Sequence, residues 1–159
     1  MATDTRLDEL VRFADEVALF CTDLGLPRAW GRVLGWLLVC DPDQQSADDL
    51  AAVLHMSSGS ISAATSALIH MGHVQRQTKR GDRRTYYRIR PGPWTGIFEQ
   101  LTQTVSKLRL LATQGLGLLN GEQATQRHRL QELHNLTASY ERESLALLAR
   151  WHGHQGQEF

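Results

Sequence analysis

Apolar side chains recur every three to four positions along most of this chain, which is the spacing of amphipathic helices. The pattern predicts six helices, over residues 7–24, 28–40, 46–56, 57–71, 94–119 and 122–151. The second of these is apolar on nearly every side, so we expect it to be buried. The polar tail that begins at His152 is expected to fray.

Residues that favour helix ends mark the boundaries of these elements. Gly25 is expected to close the first helix, and Pro27 suits the first turn of the second. Ser46 and Asp49 approximate a capping box at the start of the third helix. The fourth helix is expected to begin after a Ser57 cap and to end at Gly72.

The helical spacing gives way to alternation between residues 73 and 90. Residues 73–78 and 85–90 are predicted strands, and residues 79–84 are the loop that joins them. This hairpin is strongly basic although the whole chain is neutral. From His73 to Arg90 the chain has seven basic side chains and one acidic one, so the segment carries +6 and the remainder carries −6. Such a separation is typical of a protein that touches a polyanion with one element, although arginines on a solvated hairpin also block strand pairing.

Two short helices joined by a tight turn and followed by a basic hairpin are the parts of a winged helix-turn-helix, which places a helix in the major groove of DNA. We therefore predict a mainly α fold: a winged helix-turn-helix with a two-stranded β wing and long N- and C-terminal dimerisation helices. The predicted domains are an N-terminal helix over residues 1–26, a DNA-binding domain over 27–93 and a C-terminal helical dimerisation region over 94–159. The alternative is a winged-helix module that binds protein without DNA.

Particular residues carry a resemblance to a known family. Ala51 is the small residue that the helix-turn-helix pattern places at the helix crossing, and Ile61 is its β-branched residue in the second helix. His55 stands where glycine is usual, which predicts a positive φ or a different turn. The run LPRAWGRVLGWLLVCDPDQQSADDLA, with SSGSISAATSALIHMGHV and GDRRTYYRI, resembles the GbsR branch of the MarR-like transcriptional regulators. The resemblance covers residues 20–90 and is loose beyond them.

The resemblance implies which side chains meet DNA. The fourth helix becomes the recognition helix, with candidate contacts at Ser57, Ser58, Ser60, Ser62, Ala63, Thr65 and Ser66. Hydroxyl groups discriminate weakly among base edges, and no lysine or arginine occurs between Ala47 and His73. Affinity is therefore expected to depend on the wing and on DNA shape. The wing candidates are Arg76, Lys79, Arg80, Arg83 and Arg84.

The resemblance also implies a homodimeric repressor that binds a pseudo-palindromic double-stranded operator and responds to a small-molecule effector. The two long helices after Trp94 are consistent with a dimer, because their apolar sides would be exposed in a monomer. Packing of these helices on the first two helices of the same chain is the competing interpretation. The dimerisation candidates are Leu130, Leu133, Tyr140, Leu147 and Trp151. The effector candidates are Trp30, Trp36, Trp94 and Phe98, for which a packed core is the competing interpretation.

Other chemistry finds little support in the sequence. Cys21 and Cys40 form neither a disulfide framework nor a zinc spacing, and each lies on the apolar side of its helix. No carboxylate or thiol has a spacing that would complete a metal site with the histidines. The sequence also has no recognisable Ser-His-Asp or paired-carboxylate arrangement. We therefore expect a cytoplasmic regulator that is not an enzyme and uses no cofactor, no metal and no membrane.

Overall fold

The computed structural model describes residues 2–120 and 123–155. Its helices are α1 (Ala2–Asp23), α2 (Arg28–Val39), α3 (Ala47–Leu54), α4 (Ser58–His70), α5 (Pro93–Leu118) and α6 (Ala124–Gln155). Its strands are β1 (Gln45–Ser46), β2 (Val74–Thr78) and β3 (Thr85–Ile89). The mainly α fold with a winged helix-turn-helix is therefore confirmed.

The wing belongs to a three-stranded antiparallel sheet in the order β1-β3-β2. The predicted hairpin is present, with Val74 opposite Ile89 and Thr78 opposite Thr85. The sequence did not predict β1, in which Gln45 pairs with Tyr87 and joins the start of the helix-turn-helix to the wing. Two residues are too short a segment for alternation to be recognised.

Three predicted helix boundaries were wrong. Helix α1 already begins at Ala2, and Pro27 is the N-cap of α2 rather than a residue of its first turn. Helix α6 continues to Gln155, so residues 152–155 are helical rather than frayed, and the rest of the predicted tail lies outside the described residues. The predicted start of the sixth helix, at Glu122, lies outside the described residues.

The chain divides into two compact units, over residues 1–93 and 94–159. The N-terminal unit encloses one hydrophobic core, to which α1, α2, α3, α4 and β2 all contribute. Its fully buried side chains include Val33, Leu50, Leu54, Ile61 and Leu68. Because α3 and α4 share this core with α2, the orientation of both helices depends on the same packed side chains.

The C-terminal unit contains α5 and α6. Glu141 of α6 accepts hydrogen bonds from the Ser106 hydroxyl at 2.7 Å and from Arg109 Nε at 2.5 Å. These bonds lower the pKa of the Glu141 carboxyl, the serine contribution being the larger. Gly115 faces Leu130 closely enough that an added Cβ would lie 2.9 Å from Leu130 Cδ1. A polar cluster and a close apolar contact thus fix the register of the two helices.

Among the described residues, no single helix is long and apolar enough to cross a membrane. Helices α3 and α4 reach that length and apolar content only when taken together, and they are bent by 115° at their break.

Candidate nucleic-acid interface

The turn between α3 and α4 is held at both sides by capping groups. Ser46 and Asp49 form the complete capping box at the start of α3, with the Ser46 N–H donating to Asp49 Oδ2 at 3.0 Å. His55 ends α3 in the left-handed region, at φ 49° and ψ 47°, as its place in the glycine position predicted. The Met56 N–H then donates to the Ala51 carbonyl at 3.1 Å and closes the turn.

Helix α4 is divided into a buried face and an outward face. Ile61, Ala64 and Leu68 are buried, and the outward face consists of Ser58, Ser62, Ala63 and Ser66, all exposed. These four residues, hereafter the α4 outer face, offer only hydroxyl and methyl groups. They suit a surface that approaches a groove closely and discriminates weakly between bases.

Three other predicted contacts lie outside the α4 outer face. Thr65 is 1% exposed, and its hydroxyl donates to the Ile61 carbonyl at 2.9 Å. Its side chain therefore cannot reach DNA, because the helical period turns position 65 toward the core. The Ser57 hydroxyl is the N-cap of α4, accepting from the Ser60 N–H at 3.2 Å and donating to the Ser60 hydroxyl. Ser60 is half-buried beside it.

The wing is organised around the carboxylate of Asp82. It accepts hydrogen bonds from the Arg84 N–H at 2.9 Å, from Arg84 Nη2 at 3.0 Å and from the Tyr86 hydroxyl at 2.7 Å. The Arg84 bonds are the main reason that the pKa of Asp82 lies well below its usual range, and the Tyr86 bond adds to it. Charge-assisted bonds of this kind fix geometry as well as adding energy.

The basic side chains of the wing fall into two groups. Lys79 lies with its Nζ 4.1 Å from the centre of the Tyr86 ring, and the Arg84 guanidinium lies 5.3 Å from it. These two cations are held over an aromatic face. Arg76, Arg80 and Arg83 are exposed and form no ion pair with the residues that the structure describes. The wing therefore presents ordered and free cations together.

Arg88 and Tyr86 were not among the predicted site residues. Arg88 Nη1 lies 3.8 Å from Asp43 Oδ2, and the guanidinium lies beside the side-chain amides of Gln75 and Gln77. These contacts stabilise the pairing of β2 with β3. Tyr86 is 4% exposed and orders three wing side chains at once. Sequence alternation places Tyr86 on a strand, but it does not show which loop residues fold back onto its ring.

The four aromatic effector candidates belong to different units. Trp36 lies in the core of the N-terminal unit, and Trp30 packs against that core. For Trp36, the structure therefore agrees with the packed core that was the competing interpretation of the sequence. In the C-terminal unit, Trp94 and Phe98 line an apolar cavity of about 290 Å³. The rest of its wall is formed by Thr95, Leu147, Leu148 and Trp151.

The dimerisation candidates differ in exposure. Leu130 and Leu133 are already half-buried in a single chain. The side chain of Leu130 lies beside Gly115 of α5. Tyr140, Leu147 and Trp151 are exposed on α6.

Both cysteines lie in apolar surroundings. Cys21 is buried, and burial raises the pKa of its thiol. Burial likewise raises the pKa of Cys40 to about 11. Because the thiolate is the reactive form, both side chains are poor nucleophiles at neutral pH.

Comparison with known proteins agrees with this geometry. A MarR family model matches residues 24–85, and a model described as MmpR5-like MarR family transcriptional regulator matches residues 92–154. The HTH-type transcriptional regulator MmpR5 of Mycobacterium tuberculosis (strain ATCC 25618 / H37Rv) is 35% identical over 150 residues, spanning 94% of this chain and 91% of that protein.

Two solved structures are similar to this chain to different extents. The crystal structure of a transcriptional regulator aligns with a TM-score of 0.70 at 36% identity, over 91% of this chain and 99% of that one. The S. aureus MepR–DNA complex aligns with a TM-score of 0.41 at 20% identity, over 87% of this chain and 95% of that one. The narrower placement in the GbsR branch stays a prediction. With its winged helix-turn-helix and its extensive identity to MmpR5, the chain belongs to the MarR family of DNA-binding transcriptional regulators.

Proposed function

We propose that this protein is a homodimeric repressor of a pseudo-palindromic operator and that a small-molecule effector modulates its binding. Each protomer inserts α4 into a major groove and lays its wing on the flanking backbone. Residues 1–26, which pack within the N-terminal unit, also contribute to dimerisation, residues 27–93 carry the DNA-binding elements, and residues 94–159 form a dimerisation region. The observation that carries the proposal is that one unit holds both the small, hydroxyl-rich α4 outer face and the wing with its free arginines.

The α4 outer face supplies contact without strong base selection. Ser58, Ser62 and Ser66 can donate to phosphates or to several base edges, and the Ala63 methyl can meet a thymine methyl. Affinity then comes from the wing, where Arg80 and Arg83 are free to neutralise phosphates. Arg84 differs from them because Asp82 holds its guanidinium in one orientation, which suits insertion into a narrow groove.

Exposed apolar stripes support pairing of two chains. On α6, Leu136, Tyr140, Leu147 and Trp151 are spaced four, seven and four residues apart, so they share one face, and all are exposed. On α1, Phe13, Phe20 and Leu24 form a similar exposed stripe. Surfaces of this kind are rarely left in water, and a symmetric dimer covers them in both protomers at once.

The apolar cavity of the C-terminal unit supports the effector proposal. Its walls are aromatic and aliphatic side chains, including Trp94 and Phe98. An apolar pocket of about 290 Å³ is at the lower limit of the range for small-molecule sites. A compact, uncharged, aromatic or aliphatic molecule is the class of ligand that such a lining accepts.

A salt titration tests the proposal as a whole. Operator sites are first selected from a random duplex pool, and affinity is then measured from low to high salt. We expect the affinity to fall with salt, and the combined variant Arg80→Ala and Arg83→Ala to reduce the log–log slope by roughly 1 to 2 units on all duplexes. The control is Asp43→Ala. This substitution removes an acidic residue that pairs with Arg88 and leaves the basic side chains of the wing unchanged. A wild-type protein that selects no duplex sequence would overturn the proposal.

A further inference from the structure

Arg32 of α2 connects three helices of the N-terminal unit. Its Nη1 donates to the Leu54 carbonyl at the end of α3, at 2.8 Å. Its Nε lies 2.7 Å from Asp15 Oδ1 of α1, meeting it as an ion pair rather than as an aligned hydrogen bond. The Arg32 side chain is 21% exposed, so the guanidinium is largely withdrawn from solvent between the two partners.

The Leu54 carbonyl occupies a sensitive position in the helix-turn-helix. It is one of the last carbonyls of α3, which have no partner further along the helix. The next residue, His55, is the non-glycine residue in the left-handed region, a conformation that persists only where the surroundings enforce it. Ser57, two residues beyond, caps α4. The guanidinium therefore neutralises the negative end of α3 at the point where the chain turns toward α4.

We propose that Arg32 is a positioning residue for DNA recognition, and that Asp15 and Arg32 together transmit the placement of α1 to the turn that aims α4. The proposal rests on the proposed function, in which α4 enters the major groove. Arg32 touches no DNA in this arrangement. It acts by holding the Leu54 carbonyl and the adjoining left-handed turn in one conformation, so that the α4 outer face meets the bases at a fixed angle.

Arg28 provides a matched control one turn earlier on the same helix. Its Nη2 is 3.9 Å from the same Asp15 oxygen, but its side chain is 63% exposed and it donates no hydrogen bond to Leu54. The test variants are therefore Arg32→Met, which keeps an unbranched apolar side chain, and Arg28→Met. Asp15→Asn is a third variant that leaves Arg32 in place but removes the charge that orients it.

Two measurements on the full chain separate positioning from simple stability. Below the melting temperature of every variant, the ratio of affinities for the selected operator and for random duplex should fall about tenfold in Arg32→Met, the order expected for one charge-assisted hydrogen bond. It should fall less in Asp15→Asn and not at all in Arg28→Met. Without DNA, hydrogen exchange of the His55 and Met56 amides should become faster in Arg32→Met, less so in Asp15→Asn, and should stay unchanged in Arg28→Met.

Several results would overturn the proposal. A folded Arg32→Met protein with unchanged selectivity and unchanged amide exchange shows that the contact positions nothing. Equal losses in Arg28→Met and Arg32→Met show a general effect of charge. A salt slope lowered by about one unit in Arg32→Met shows a direct phosphate contact instead. If the wild-type protein binds no duplex selectively, the proposed function fails, and the exchange measurement still decides whether Arg32 holds the turn.

Discussion

Gly31 of α2 lies directly against the backbone of α1, and a Cβ added at Gly31 would be 2.5 Å from the Ala18 Cα. One turn later the same relationship holds between Gly35 and Ala14, where the distance would be 2.8 Å. The two helices can approach this closely only because all four residues are small. Helix α1 is therefore an integral part of the N-terminal unit, and Asp15, which contacts Arg32, lies within this packed segment.

The first prediction follows from this contact. Gly31→Ala should lower the free energy of unfolding by about 1–3 kcal/mol, because the new methyl group meets backbone that cannot move aside. Thermal and urea denaturation measure the change. Gly117→Ala is the control, since Gly117 is a helical glycine with open space around it. That substitution should stabilise the protein by up to about 1 kcal/mol. Equal effects at both positions would mean that α1 does not pack on α2 as described.

The sequence predicted elements better than it predicted contacts. Ser46, Ser57 and Gly72 marked helix ends correctly because capping depends on a few adjacent residues. Gly31 gave no such signal. A glycine inside a helix is expected only to lower helix stability slightly, and its role in close packing is recognised only when the neighbouring helix is known. Thr65 was misassigned because threonine is polar, although its hydroxyl can be satisfied by its own helix while its methyl group is buried.

The sequence also predicted part of the wing, namely its two strands and its basic character. The sequence shows one acidic residue among the basic side chains of the hairpin, and in the structure this residue, Asp82, orients Arg84. The sequence could not select Arg84 over Arg80 or Arg83, because the choice depends on how the loop folds over Tyr86. The link from Arg32 to Leu54 spans 22 residues, and no local pattern indicates a hydrogen bond to a backbone carbonyl at that separation.

The second prediction concerns the pH dependence of the wing. The pKa of Asp82 is depressed in the folded protein, so the stabilisation it contributes is present above its unfolded pKa of about 3.9 and is lost as the pH falls through the folded value. The wing should therefore keep its Asp82–Arg84 pairing from neutral pH down to below the ordinary aspartate pKa of about 3.9. Carboxyl ¹³C NMR of Asp82 measures this directly, and an ordinary titration near pH 4 would contradict it.

The third prediction uses the Tyr86 hydroxyl as a probe of the same cluster. Its hydrogen bond to Asp82 is the main reason that the pKa of Tyr86 is raised. Asp82→Asn should move this pKa back toward about 10, the ordinary tyrosine value, as followed by ¹³C NMR of the ring during an alkaline titration. Asp43→Asn is the control, because Asp43 faces Arg88 and not Tyr86. A Tyr86 titration that is the same in all three proteins would show that Asp82 does not organise the wing.

The fourth prediction tests the exposed stripe of α6. The combined variant Leu136→Glu and Tyr140→Glu should dissociate the proposed dimer with little loss of protomer folding, because these side chains are 69% and 38% exposed in a single chain and neither lines the apolar cavity. Charges at the centre of an apolar interface cannot be paired there. Sedimentation velocity and circular dichroism measure the two quantities separately.

Leu145→Glu is the control for that variant. Leu145 is on the same helix and is 54% exposed, but nine residues from Leu136 it lies on the opposite side. It should leave the dimer intact. If Leu145→Glu alone dissociates the dimer, the opposite face of α6 is the interface.

The fifth prediction concerns the α4 outer face itself. Ala63 is exposed, as is Ser62 beside it, while Ile61 and Ala64 are buried, so position 63 points outward from a helix that the core holds in place. Ala63→Glu should abolish operator binding, because a carboxylate at that site meets phosphates and crowds the groove. Its effect on the free energy of unfolding should stay within about 0.5 kcal/mol, as at other exposed sites.

Ala146→Glu separates a local effect of Ala63→Glu from the added charge. Ala146 is an exposed alanine within α6, and its substitution changes the net charge by the same amount while every residue of the helix-turn-helix stays unchanged. Operator affinity, mass in solution and thermal stability should be measured on both variants. A change of mass in Ala63→Glu would assign position 63 to a protein interface. Unimpaired binding by a folded Ala63→Glu dimer would show that α4 does not enter the groove, because a glutamate in that position could not be accommodated against the DNA backbone.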